Sequence, residues 1–203
     1  MANLIGGFYF PTSGSVFLDG KNTVLHDNKD LRDRIGVVPQ KATLFAGSIR
    51  SNLLWGKEDA TEEELWEALE LAQAKEFVEQ KEDGLDAAVE QQGRNLSGGQ
   101  RQRLTVARAL VRRPSILILD DSASALDYGT ESRLRRAIAT LPYNPTRFII
   151  SQRTSSILHA DLIIVLEDGE MVGQGKHEEL LRDCPVYREI YESQYEKGGE
   201  QNG

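Results

Sequence analysis

The feature that most constrains the fold is an apolar run that ends in two carboxylates. Ile116-Leu117-Ile118-Leu119 follows Pro114-Ser115 and leads directly into Asp120-Asp121. A short, continuous apolar run is typical of a strand that is covered on both faces, as in a parallel sheet. Such sheets bind ligands at the carboxyl ends of their strands, where a carboxylate can hold Mg²⁺. The run predicts an α/β fold with a candidate site at Asp120. The alternative is a pair of aspartates that only caps a helix.

A second constraint lies upstream, where Leu96-Ser97-Gly98-Gly99-Gln100 precedes an amphipathic segment. The pattern predicts a helix from Gly98 to Arg113 that Pro114 ends. Glycines at the start of a helix leave free backbone N–H groups at its positive end, which suits a phosphate. The alternative is an ordinary glycine-containing loop before a packed helix. Together with the carboxylates, the pattern indicates a nucleotide-dependent protein.

Composition and charge narrow the function classes. The 203 residues include 24 Lys and Arg against 32 Asp and Glu, a net charge of −8. This acidic balance argues against a nucleic-acid surface as the main function. The single cysteine, Cys184, excludes an internal disulfide and a cysteine-based metal cage. No apolar run reaches the roughly 18 residues that a membrane span requires.

Periodicity and turn residues predict the other elements. Thr61-Glu62-Glu63-Glu64 predicts a capping box that opens a helix, and Asp19-Gly20 and Asp168-Gly169 predict hairpin turns. Strands are predicted at 15–19, 22–25, 35–39, 115–119, 147–151, 162–166 and 171–174, and helices at 2–10, 61–72, 98–113, 130–141, 178–182 and 186–195. The alternation in the second half predicts a doubly wound parallel sheet. Residues 197–203 are predicted to form a flexible tail.

The longer run from Asn95 to Leu104 resembles the signature motif of ATP-binding cassette (ABC) proteins. Further family motifs follow in the family order, and the resemblance covers nearly the whole chain. Gln40 resembles the Q-loop glutamine, which in the family contacts Mg²⁺ and couples to the membrane domains. Leu44 to Gly56 resembles the segment that follows the Q-loop in exporters, and Ile116 to Asp120 resembles the Walker B motif. Ser124-Ala125-Leu126-Asp127 resembles the D-loop, and Lys176 to Leu180 resembles the C-terminal pattern of exporters.

This resemblance implies the nucleotide-binding domain of an exporter, with ATP and Mg²⁺ as cofactors. The implied fold is P-loop NTPase-like (RecA-like), a doubly wound parallel sheet with a helical subdomain that carries the signature. The domain is expected over 1–196, with the Q-loop near 40, the helical subdomain at 48–112 and the Walker B to switch region at 115–153. Two cassettes sandwich two ATP molecules in the family. The implied partners are therefore a second cassette and a transmembrane domain, at the cytoplasmic face of the plasma membrane.

Three departures from the family pattern bear on activity. No Gly-Lys-[Ser/Thr] occurs in the chain, so the Walker A loop is missing. Because Asn3 to Gly14 matches the helix and turn that follow Walker A, we expect an N-terminal truncation in which the antiparallel strands are partly missing. Asp121 stands where the family has the catalytic glutamate, which is one methylene longer. Gln152 stands where the family has the switch histidine that contacts the γ-phosphate, and Gln cannot carry a positive charge.

Two hypotheses follow. In the first, the chain is the degenerate half of a heterodimeric ABC exporter, and its intact signature completes the ATP site of its partner. In the second, it is a catalytically silent interaction module that no longer binds ATP, because Walker A is absent. A soluble ABC ATPase that acts on ribosomes or DNA is disfavoured by the acidic balance.

The first hypothesis assigns a role to each candidate residue. By family the chain is an ABC-type ATPase, but the isolated chain is expected to be inactive. The residues expected at the site are Asp121 and Gln152 for catalysis, Asp120 and Gln40 for Mg²⁺, and, for nucleotide binding, Gln40, Leu96, Ser97, Gly98, Gly99, Gln100, Ser124, Ala125, Leu126 and Asp127.

Overall fold

A computed structural model describes residues 2–122 and 125–199, and the chain separates into two compact units. The first unit ends at Ile150 and the second begins at Ser151. The first contains helices α1 (Ala2–Ile5), α2 (Asn28–Arg34), α3 (Ile49–Leu54), α4 (Glu62–Leu71), α5 (Lys75–Glu79), α6 (Gly98–Leu110) and α7 (Tyr128–Ala139), and strands β1 (Phe17–Leu18), β2 (Lys21–Asn22), β3 (Ile35–Val38), β4 (Gly47–Ser48), β5 (Ala88–Val89), β6 (Ile116–Asp120) and β7 (Thr146–Ile150). The second contains β8 (Ile163–Glu167), β9 (Glu170–Gly175), α8 (His177–Asp183) and α9 (Pro185–Gly199).

A three-stranded parallel sheet in the order β3-β6-β7 lies at the centre of the first unit. Strand β6 is in the middle, and its apolar residues are buried on both faces. On one face Leu117 and Leu119 join the large core. On the other face Ile116 and Ile118 belong to a smaller cluster with Leu31. The predicted α/β fold with a buried parallel strand that ends at Asp120 is therefore confirmed.

Helices α3 and α4 each pack against α6 beside this sheet. The predicted capping box at the start of α4 is confirmed. The Glu64 N–H donates to Thr61 Oγ1 (3.3 Å), and the Thr61 N–H donates to a Glu64 carboxylate oxygen (3.0 Å). A second capping box, between Ser48 and Ser51, begins α3. The sequence analysis did not predict this helix, because serine at the third position is not the Glu or Gln of the usual pattern.

The structure differs from the predicted elements at three places in the first unit. Residues 23–25 form a 3₁₀ helix rather than a strand, since the Asn22 side chain accepts from the Val24 N–H (3.2 Å). Helix α2 was not predicted, and it begins at an Asp27 cap whose side chain accepts from the Lys29 N–H (2.7 Å). Helix α6 ends at Leu110 rather than Arg113, which has a left-handed φ of 49°.

The second unit is a β-hairpin packed against two helices. Strands β8 and β9 are antiparallel, and the predicted turn at Asp168-Gly169 has a positive φ at both residues, as a two-residue hairpin requires. The buried residues are Ile163, Val165, Leu180, Cys184 and Tyr187. Helix α9 continues to Gly199, so the first three residues of the predicted tail are helical. The last four lie outside the described residues.

Gly56 marks a close approach between the end of α3 and helix α6. A Cβ at this position would lie 2.1 Å from the backbone oxygen of Arg108. The Arg112 guanidinium also donates to the Gly56 oxygen (2.6 Å), which draws the two segments together. Only a residue without a side chain fits here unless the backbone moves.

We expect Gly56→Ala to lower the free energy of unfolding by about 1–3 kcal/mol, the usual cost of overpacking. Urea denaturation followed by circular dichroism measures this. Gly129→Ala in α7 is the matched control. Its Cβ would meet nothing closer than 3.4 Å, and alanine in a helix is favoured over glycine by about 0.5–1 kcal/mol. Equal stability of the two variants would contradict the packing argument.

Candidate functional site

The signature segment forms the start of α6, and its cap is made by its own residues. Ser97 Oγ accepts from the Gln100 N–H (3.2 Å), and the Gln100 side chain accepts from the Ser97 N–H (3.0 Å). Leu96 is buried, whereas Ser97 is exposed. The N–H groups of Gly98 and Gly99 open the helix, where no carbonyl of the same helix can accept from them. The segment therefore combines an oriented hydroxyl with a positive helix end.

The two signature glycines lie against the D-loop residues of the same unit. A Cβ at Gly99 would lie 3.3 Å from the Ala125 oxygen and 3.6 Å from the Leu126 side chain. A Cβ at Gly98 would lie 3.8 Å from the Ala125 Cβ. The fold thus brings together two motifs that are about 26 residues apart in the chain. Ser124, the first residue of the predicted D-loop, lies outside the described residues.

Asp127 begins α7 as its N-cap. Its side chain accepts from the Thr130 N–H (2.9 Å). The hydrogen bonds from the backbone and then the side chain of Thr130 hold the pKa of Asp127 below its usual range, with a smaller contribution from Arg133. Asp127 is therefore an ionised cap at the end of the D-loop.

Two arginines that the sequence analysis did not single out hold the signature helix in place. Arg101 donates to the backbone oxygen of Leu96 (2.6 Å), just before the cap. Arg103 donates to the backbone oxygen of Gln73 (2.6 Å), and its guanidinium lies 4.9 Å from the centre of the Phe77 ring. The only sequence signal for these contacts was their position inside the signature run.

The carboxyl ends of β3 and β6 bring Gln40 and the two aspartates together. Gln40 Nε2 lies 3.4 Å from a carboxylate oxygen of Asp121, a long hydrogen bond. Asp121 has a left-handed φ of 41°, and its N–H donates to the Ile150 oxygen of β7 (2.8 Å). Asp120 ends β6 and is partly exposed. The fold thus places Gln40 beside Asp121 at this edge of the sheet.

The side chains at this edge of the sheet fit a Mg²⁺ ion that is also bound by the phosphates of a nucleotide. Among residues 2–122 and 125–199, no group of three or more His, Cys, Asp or Glu side chains is placed to hold a metal ion. Mg²⁺ usually keeps several waters and takes one or two carboxylates together with substrate phosphates. Asp120, Asp121 and the Gln40 amide are suited to that arrangement and not to a closed protein cage.

Gln152 belongs to the second unit, where its side chain is exposed. Its backbone oxygen accepts from the Gln194 side chain in α9 (2.6 Å). The same Gln194 side chain accepts from the N–H (3.0 Å) and the hydroxyl (3.1 Å) of Thr154. The last helix therefore fixes the loop that presents Gln152, a contact over about 40 residues that no sequence pattern indicated.

An aromatic pair is exposed in the segment after Gln40. The rings of Phe45 and Trp55 lie 4.9 Å apart, and Trp55 is 66% exposed. The Arg108 guanidinium lies 5.7 Å from the Phe45 ring and donates to the Thr43 oxygen (3.0 Å). Burial lowers the pKa of Arg108 from its ordinary value, but arginine stays charged in proteins. The exposed aromatic pair thus lies beside the positively charged guanidinium of Arg108.

Comparison with known proteins gives matches along the whole chain. A family model described as ABC transporter matches residues 1–124. The uncharacterized ABC transporter ATP-binding protein YfiB of Bacillus subtilis (strain 168) is 45% identical over 199 residues, 98% of this chain and 34% of that protein. The multidrug resistance ABC transporter ATP-binding and permease protein of Lactococcus lactis is 41% identical over 197 residues, 97% of this chain and 33% of that protein.

A solved structure of a bacterial Atm1-family ABC exporter with ATP bound is also similar. It has a TM-score of 0.91 and 34% sequence identity, over 96% of this chain and 34% of that chain. The chain therefore spans about one third of the length of each of these three proteins. In the described part of the chain, every helix is too short or too polar to cross a membrane.

Asp127 makes the stability of the chain depend on pH. Because its pKa is lower in the folded chain than in the unfolded chain, its contribution is present above the unfolded value of about 3.9 and is lost as the pH falls through the folded value. We expect Asp127→Asn, which keeps a capping side chain without a charge, to lose less stability than the wild type between about pH 5 and pH 2. Urea midpoints measured across this range test it. Parallel curves for the two proteins would contradict it.

Proposed function

This chain belongs to the ABC transporter family, and we propose that it is the ATP-binding cassette of an exporter. On this proposal it couples ATP binding and hydrolysis to efflux across a membrane. The observation that carries the proposal is the capped signature helix, with Ser97 exposed beside two glycines. The names of the Lactococcus relative and of the solved Atm1-family structure support export.

We infer that this signature serves the ATP of a second cassette. Ser97 Oγ already accepts from the Gln100 N–H, so its hydrogen remains to be donated to a phosphate oxygen. The first N–H groups of α6 and the positive end of the helix favour the same anion. The contact of Gly99 with Ala125 and Leu126 supports a coupling between the signature and the D-loop of this chain.

The chain's own nucleotide site is proposed to be degenerate. Asp120 and Gln40 would hold Mg²⁺, which when bound neutralises charge on the phosphates. Asp121 is shorter than the glutamate of the family, and a displacement of about 1 Å can cost on the order of 10²-fold in rate. Its carboxylate oxygen also lies beside the Gln40 amide. Gln152 can donate a hydrogen bond to a phosphate but cannot add positive charge.

A second candidate function is a silent interaction module. The observation that favours it is the absence of Gly-x-x-x-x-Gly-Lys-[Ser/Thr] from the 203 residues. This loop supplies the backbone N–H groups and the lysine that cradle the phosphates. Without it, the residues of the chain's own site do not fit a tightly bound ATP.

The proposed partners are a second cassette, in a heterodimer, and the transmembrane domain of an exporter. Through that domain the chain would lie at the cytoplasmic face of the plasma membrane. The exposed Phe45 and Trp55 pair, backed by Arg108, supports a protein contact in the segment after Gln40. Aromatic and arginine side chains are enriched in the centres of protein interfaces.

We expect the 203-residue chain to release no phosphate from ATP above the background of a Ser97→Ala and Asp121→Asn double variant. The reason is that the β- and γ-phosphates lack their cradle. A phosphate-release assay with Mg²⁺ measures this. Turnover of about 0.1 per second, well below the usual range for enzymes, would already contradict the expectation if the double variant abolished it.

An N-terminal extension that carries Gly-x-x-x-x-Gly-Lys-[Ser/Thr] tests the degenerate site. The extended chain should bind ATP and hydrolyse it slowly. Restoring the family residues with Asp121→Glu and Gln152→His should raise its turnover by about 10²-fold, because the base then reaches the attacking water. The control is Gly129→Ala, outside the residues assigned to the site, which should leave turnover low. Full-rate hydrolysis by the extended chain without these changes would contradict the proposal.

The role of the signature is tested in a mixture with a second cassette. That cassette has Glu and His at the positions that correspond to Asp121 and Gln152. In this chain Ser97→Ala should lower the ATPase rate of the mixture by about 10²-fold, the usual effect of removing a donor to the transition state. Asp121→Asn should leave it nearly unchanged, since that residue belongs to the other site. The reverse order of effects would place hydrolysis at this chain's own carboxylates.

A further inference from the structure

The first turn of α6 begins with two glycines, and an arginine of the same helix restrains it. Gly98 and Gly99 leave room for Ala125, but glycine loses more conformational freedom on folding than any other residue. Arg103 Nε donates to the Gly99 oxygen (3.3 Å). The guanidinium can reach back by one turn because side chains on a helix lean towards its N-terminus. Arg103 thus supplies a restraint that the glycines lack.

The bond to the Gly99 oxygen acts on a peptide unit that also carries the Gln100 N–H. A peptide unit is planar and trans, so its C=O and N–H groups point in opposite directions and turn together. The Gln100 N–H donates to Ser97 Oγ (3.2 Å). A rotation of this plane would therefore displace or weaken the bond that orients the Ser97 hydroxyl. Arg103 and Ser97 hold the two sides of one peptide unit.

The guanidinium of Arg103 is itself anchored on a different element, the turn between α4 and α5. Its Nη1 donates to the Gln73 oxygen (2.6 Å), and its central carbon lies 4.9 Å from the centre of the Phe77 ring. Gln73 has a left-handed φ of 58°, and the Ala74 N–H donates to the Leu69 oxygen (2.7 Å). These are features of the Schellman motif. The turn therefore fixes the direction of the carbonyl that holds the guanidinium.

Arg103 is half-buried and stays charged. Burial lowers the pKa of Arg103 and the nearby charge of Asp127 acts in the opposite direction, but arginine is not deprotonated in proteins. Hydrogen bonds from a charged donor are about twice as strong as neutral ones. The planar fork also reaches Gly99 and Gln73 at once, which the single ammonium group of a lysine does not reproduce.

We propose that Arg103 is a positioning residue of the signature, which fixes the Ser97 hydroxyl through the peptide plane between Gly99 and Gln100. One guanidinium then sets the place of this hydroxyl relative to the turn between α4 and α5. That the hydroxyl meets the ATP of a second cassette rests on the function proposed for the signature. Its position does not, and it is measurable on the chain alone.

Amide exchange of the 203-residue chain, measured by NMR without nucleotide, tests the positioning. Arg103→Gln should speed exchange of the Gln100 N–H by about fivefold, as expected when one hydrogen bond is weakened. The matched control is Arg113→Gln, since Arg113 pairs with Glu67 of α4 beyond the end of α6. It should leave the exchange of Gln100 unchanged. Equal exchange of Gln100 in Arg103→Gln and in the wild type would overturn the proposal, whatever the signature does in hydrolysis.

The ATPase rate of the mixture with a second cassette tests whether Arg103 acts through Ser97. Arg103→Gln should lower this rate by about tenfold, because a displacement of about 1 Å can cost up to 10²-fold. In a Ser97→Ala background the same change should alter the rate by less than about twofold, since no hydroxyl is left to position. An equal loss in both backgrounds would overturn the proposal. If Ser97→Ala alone leaves the rate unchanged, the function proposed for the signature fails, and the exchange of Gln100 decides the positioning.

Arg103→Lys separates the positioning from the charge. It keeps a positive charge beside the start of α6 and removes the planar fork. The Gln100 N–H should exchange nearly as fast as in Arg103→Gln, and the rate of the mixture should fall nearly as far. Exchange at the wild-type rate in Arg103→Lys would overturn the proposal, because charge alone would then be sufficient.

Discussion

The burial of β6 between two apolar layers is the constraint on which the rest of the first unit depends. Leu117 and Leu119 face one layer, and Ile116 and Ile118 face the other. A strand fixed on both faces cannot shift its register by one residue, since every side chain would change faces. The position of Asp120 is therefore set by packing rather than by the loop that follows. The carboxylate chemistry at the end of the strand depends on this fixed position.

Helix α6 extends this constraint to the signature. Its buried residues, including Leu104, Ala107 and Leu110, join the same core as Leu117. The start of the helix is thereby held at a fixed place beside the D-loop, where Gly99 leaves room for the Ala125 backbone. A side chain at Gly99 would press on that oxygen and separate the two motifs. Two motifs that are distant in sequence thus become one surface through the packing of a single helix.

The sequence predicted the elements that match a common local pattern and missed those that depend on a less common cap or on tertiary contacts. The buried run before Asp120 and the Thr61 capping box are dominated by burial and by local hydrogen bonds, and both were found. The cap of α3 uses a serine where the usual pattern has Glu or Gln, and a periodicity does not report the left-handed φ of Arg113. At the site, the resemblance assigned Gln40 and Asp121 to one nucleotide site, and the two side chains lie next to each other. It gave no sign of the arginines that anchor the signature, because their acceptors are backbone oxygens.

The link between Gln194 and the Gln152 loop has a consequence for how the protein is made. The backbone oxygen of Gln152 and both donors of Thr154 are satisfied by the Gln194 side chain of α9. A ribosome adds Gln194 about 40 residues after this loop. During synthesis the loop therefore has no acceptor or donor from α9 until that helix emerges. The geometry of this loop is therefore among the last features of the second unit to be established.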